Sequence, residues 1–152
     1  MVHLVHPQFV HFAVAFLLAG SVAEAWGILG DRRRLERFGG RLVLLGTVAL
    51  VPTVVSGFVA HISLAPPVVA RAAISRHELL GLVTLAAYLV STLWKAWDGG
   101  RVRETAIAAY AVWILGAAGA LVATAWLGGH MVYGLGVGVD CAALSFRGAA
   151  TP

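Results

Sequence analysis

The chain has 152 residues, 60% of them hydrophobic and 12% charged, with a mean hydropathy of +0.87. That balance lies outside what a soluble fold of this size carries and marks a membrane protein, read as one membrane domain over 1–152. The formal charge of +4 and isoelectric point near 10.0 would suit nucleic acid, but the basic residues are confined to short connections between apolar runs. There they act as topology signals, and nucleic acid is excluded as a partner.

The chain opens with Val5-His-Pro-Gln-Phe-Val-His-Phe12, which sets His6 and His11 at the mouth of a long apolar run. Ala23-Glu-Ala25 mimics a signal-peptidase site, but no Lys or Arg precedes the run, so it is expected to be a permanent span. Transmembrane helices are expected at about 8–30, 42–64, 77–97 and 105–133, each long enough to cross ~30 Å of hydrocarbon. Pro7 suits a helix start, and Pro52 predicts a kink in the second span. Pro66-Pro67 ends that span, and the following Val-Val-Ala patch is expected to lie in the interface. Trp94 and Trp97 form an aromatic belt at the far end of the third span. The glycine-rich tail at 134–152 is expected to leave the membrane, and Cys141, the single cysteine, excludes a disulfide framework within the chain.

The first connection holds five arginines between Arg32 and Arg41, and the third holds Lys95, Arg101 and Arg103. The other side carries only Arg71, Arg76 and Arg147. The positive-inside rule therefore predicts an all-α, antiparallel four-helix bundle in a bacterial-type inner membrane, with both termini on the periplasmic side.

His11, His61, His77 and His130 fall where the four spans reach that outer face. Ionisable groups inside a membrane are rare and usually face the bundle interior, where they carry function. Imidazole is the axial ligand of b-type haem, and non-covalent haem between helices needs two such ligands plus small neighbours. Gly128 and Gly129 beside His130, Gly57 before His61 and Gly81 after His77 supply that space. One haem b is expected in the outer leaflet, with two admitted if the helices splay. On the first span either His6 or His11 is the inner ligand. His3 and His6, three positions apart, make a Cu or Zn reading available for His6. Glu24 is expected to pair with Arg41 or relay a proton.

The motifs His6-Pro-Gln-Phe-Val-His11-Phe, Arg76-His77 and Trp126-Leu-Gly-Gly-His-Met-Val-Tyr-Gly-Leu-Gly-Val-Gly-Val139 resemble the bacterial membrane family called domain of unknown function 2231. Ala13 stands where that family usually has proline, His130 fills a variable position and Leu135 stands where histidine is frequent. The resemblance implies a four-helix membrane protein with motif histidines. A looser similarity to haem-binding cytochrome b subunits implies bis-histidine haem, although here all candidate ligands share one leaflet. The expected function is a b-type cytochrome-like membrane subunit that exchanges electrons with a quinol or a periplasmic carrier, within an oxidoreductase complex of further membrane or cytochrome subunits. The alternatives are an accessory subunit without its own cofactor and a histidine-based metal-binding membrane protein.

Overall fold

The computed structural model describes residues 5–63 and 68–139. Four long helices dominate: α1 (Val5–Leu29), α2 (Arg33–Ser63), α3 (Arg71–Trp97) and α4 (Ile107–Tyr133). Single 3-10 turns at Val68–Ala70 and Glu104–Ala106 lead into α3 and α4. All four helices are long and apolar enough to cross a membrane, and no strand occurs among the described residues. Each helix packs on two neighbours in a ring, so α1 and α3 stand diagonally across the bundle.

Helix boundaries depart from the sequence-based expectation in three places. α1 is already helical at Val5, the first described residue, so His6 lies within the helix. α2 begins at Arg33, so the arginine segment is helical and the reversal is compressed into Gly30, Asp31 and Arg32. There the Arg32 amide donates to Gly27 O at 2.7 Å and Asp31 adopts φ +47°, a left-handed turn that aspartate tolerates. α3 begins at Arg71, which sets His77 well inside the helix. Pro52 lies within α2 without ending it.

Glycine decides how closely α1 and α2 approach. A Cβ on Gly39 would lie 2.4 Å from the Glu24 amide nitrogen, and one on Gly46 2.5 Å from Leu17 Cγ. Two membrane helices gain nothing from excluding water between them, so such close backbone packing supplies the association. The last described residues, Gly134 to Val139, pack near the start of α3, and the rest of the 134–152 tail lies outside the described residues. The Val137 amide donates to Met131 O at 2.9 Å, Gly136 and Gly138 take positive φ, and Leu135 and Val137 pack on Ala70, Ile74 and Met131. Cys141, Pro66 and Pro67 lie outside the described residues.

The two hairpins, α1–α2 and α3–α4, repeat one another at an offset of 71 positions: His6 with His77, Thr53 with Thr124, Gly57 with Gly128. Buried positions follow the same offset, pairing Val43 with Ile114, Leu50 with Leu121 and Leu17 with Tyr88. α1 and α3 thus hold equivalent places in two successive helix hairpins. Where the first hairpin has Gly39, the second has the large Tyr110. A phenol ring cannot sit at a 2.4 Å backbone approach, so the second hairpin is the more open of the two.

Candidate functional site

His6 and His77 line a single cavity of about 80 Å³ between the helices at one end of the bundle. Its walls are mainly apolar, from Val10, Ala13, Leu50 and Leu121, with Thr84 and Thr124 as polar additions. Each ring is fixed by the other helix of its own hairpin. His6 Nδ1 lies 2.9 Å from Thr53 O and 3.2 Å from Ser56 Oγ, and His77 Nδ1 lies 3.1 Å from Thr124 O. A carbonyl only accepts, so both Nδ1 atoms carry the hydrogen, and in a neutral imidazole Nε2 keeps its lone pair. A backbone carbonyl on Nδ1 is the usual device that sets a metal-binding histidine's tautomer and aim.

Gly57 and Gly128 make room for these rings. A Cβ on Gly57 would approach His6 Cε1 to 3.1 Å, and one on Gly128 would approach His77 Cε1 to 3.2 Å. Gly129, which the sequence also suggested for close approach, has nothing within 4 Å of an added Cβ. It faces away from the cavity because adjacent helical residues differ by about 100° in direction.

The four-histidine set expected from the sequence is not gathered in one place. His77 faces the cavity, whereas His11, His61 and His130 are exposed and do not line it. His11 Nδ1–H donates to Pro7 O of its own helix at 2.5 Å. His61 Nδ1 is 2.5 Å from Glu78 Oε1, tying α2 to α3 beside the cavity, which Glu78 also lines. His130 stacks on Trp126, with ring centroids 5.8 Å apart and planes 9° apart. Between His6 and His11 the structure selects His6 as the cavity residue on α1. Among the described residues no three His, Cys, Asp or Glu side chains converge into a metal-ligand group, so the metal reading of His6 reduces to its pairing with His77. The signal for this pair was in the sequence as a repeat: histidine, then threonine 47 positions later, then glycine four further on, twice.

Polar groups continue away from the cavity along one face of α3. Thr84, Tyr88 and Ser91 are buried there and lead to Lys95, at helical spacings of four and three. The equivalent positions of α1 are Ala13, Leu17, Gly20 and Glu24, apolar until the last. Tyr88 OH and Ser21 Oγ are 2.9 Å apart, Thr84 Oγ1 and Thr124 Oγ1 3.1 Å. At the far end Glu24 pairs with Lys95 instead of Arg41, which is exposed.

Fold and cavity together define a four-helix membrane protein with a paired-histidine site at one end of its bundle. The chain belongs to the family described as "Predicted membrane protein (DUF2231)", which it matches over residues 2–141. No curated relative and no solved structure matches it.

Proposed function

We propose that the chain is an electron-transfer subunit of a bacterial inner-membrane oxidoreductase, holding one haem b through His6 Nε2 and His77 Nε2. The observation that carries this reading is the pair of imidazoles on diagonal helices, each with Nδ1–H tied to a carbonyl of its own hairpin. Haem b would draw on two histidine nitrogens, and the repeat gives His6 and His77 equivalent positions on α1 and α3, both lining one cavity, from which to offer them. Such a group would carry single electrons, and a quinol or a periplasmic carrier is the natural partner if the histidine end faces outward. The positive-inside bias supports that sidedness.

The volume favours a second reading. A cavity of about 80 Å³ is well below the ~300 Å³ at which ordinary small-molecule pockets begin, so a porphyrin requires the helices to part. A bare transition-metal ion held by the two histidines and completed by small exogenous ligands is within that volume.

One set of measurements separates these readings. Protein purified from cells supplied with haem is examined by dithionite-reduced spectrum, pyridine haemochrome and metal analysis. The haem reading expects a low-spin spectrum that His6→Ala and His77→Ala each convert to high-spin or abolish, while His11→Ala and His130→Ala leave it low-spin. Bound Cu or Zn without a Soret band, lost in the same two variants, establishes the metal-ion reading. Neither haem nor metal in the wild-type protein sinks both and leaves an accessory subunit.

A further inference from the structure

The opposite end of the bundle holds a second buried cluster, drawn from all four helices. Lys95 Nζ on α3 lies 2.5 Å from Glu24 Oε1 on α1 and 3.9 Å from Glu36 Oε1 on α2. Tyr110 on α4 donates its hydroxyl to Glu24 Oε1 at 3.2 Å. Tyr88, hydrogen-bonded to Ser21, is the next ionisable side chain along the inward face of α3. Glu24 is 0% exposed, and its second oxygen, Oε2, has no hydrogen-bond partner among the described residues.

Two carboxylates and one ammonium leave one negative charge uncompensated in this interior. Arg33, Arg34, Arg37 and Arg41 are close in sequence but exposed, and among the described residues none of them pairs with Glu24 or Glu36. Burying an unpaired charge is strongly unfavourable, and the site neutralises it most simply by taking up a proton. Oε2 of Glu24 is the oxygen without any donor, so it is where that proton adds.

We propose that the Glu24–Glu36–Lys95 cluster is an exchangeable proton-binding site. A proton from water at the arginine-rich end adds to Glu24 Oε2, turning the carboxylate into a carboxylic acid, while Lys95 stays an ammonium and Tyr110 keeps its hydrogen bond to Oε1. Release reverses the step, returning the proton to water, so no oxidant or further reactant is involved. The site needs no cofactor and stands apart from whatever His6 and His77 hold.

Infrared difference spectroscopy on the full-length protein in lipid vesicles, stepped in pH and repeated in D₂O, tests this directly. The wild-type protein should show the carbonyl band of a buried carboxylic acid that shifts down in D₂O and fades as pH rises. Glu24→Gln should lose it, and Glu78→Gln, which alters the carboxylate at the other end, should keep it. Lys95→Met, which removes the ammonium, should hold the band to higher pH. The proposal is overturned if wild-type protein shows no such band at any pH, if the band survives Glu24→Gln, if it is lost in Glu78→Gln, or if Lys95→Met leaves its pH dependence unchanged. Absence of the band in wild-type protein overturns the proposal whether or not the variants accumulate.

Discussion

His6 and His77 occupy the same place in two successive hairpins: each Nδ1–H donates to a carbonyl 47 positions further along the chain. Each ring also rests on a glycine four residues past that carbonyl, Gly57 or Gly128. Two imidazoles held this way face one cavity with equivalent lone pairs, although the four strands of sequence that build the site are widely separated. The arrangement makes the site sensitive to glycines that touch no ligand.

Gly128→Val should displace the His77 ring, since even a Cβ would sit 3.2 Å from its Cε1. Overpacking of this kind costs about 1–3 kcal/mol. Occupancy of the histidine site, read by haemochrome or metal content, should fall in Gly128→Val and Gly57→Val. Gly129→Val adds a side chain with nothing within 4 Å of its Cβ and should bind as the wild-type protein does.

Lys95→Met should be among the most destabilising single changes in the bundle. Above the pH at which Glu24 releases its proton, it leaves that carboxylate buried without its counter-ion, a loss of about 3–5 kcal/mol where a buried pair is broken from one side. Adding Glu24→Gln to that variant removes the stranded charge and should recover most of the loss. Unfolding in detergent measures all three proteins, and a double variant no more stable than Lys95→Met would contradict the pairing.

Gly39→Leu should abolish the close α1–α2 contact, because a Cβ there meets the Glu24 backbone at 2.4 Å. Folded yield in detergent should drop sharply. Gly116→Leu and Gly119→Leu change glycines of α4 with nothing within 4 Å and should fold normally. Equal losses in all three would mean that helix flexibility, not packing, is what these glycines supply.

Sidedness is checked by single cysteines in a Cys141→Ser background. A membrane-impermeant maleimide added to intact cells should label Ser63→Cys and spare Asp31→Cys and Gly99→Cys, all exposed positions at helix ends. Labelling of Asp31→Cys in intact cells would invert the bundle and place the histidine cavity on the cytoplasmic side.

Helix number and type were legible from hydropathy, because a span must satisfy every backbone group internally and so appears as one long apolar run. The packing of Leu135 and Val137 on Ala70 and Ile74 was not, because it joins segments far apart in sequence. Pairing of Glu24 went astray for a related reason. Sequence proximity favoured Arg41, but α3 brings Lys95 to the same level of the bundle, and Arg41 is exposed on the outside of α2.

By itself the sequence determined that this chain has four helices long and apolar enough to cross a membrane and that its histidines fall toward one end of them, since span length and motif positions are one-dimensional properties. Only the tertiary structure decided which histidines share a site. A helix turns about 100° per residue, so His6 and His11 at the same end of α1 point in different directions, one toward the diagonal helix and one toward the surroundings. The ring order of the four helices then selected His77 as the partner of His6, because α1 and α3 are the helices that face each other across the bundle.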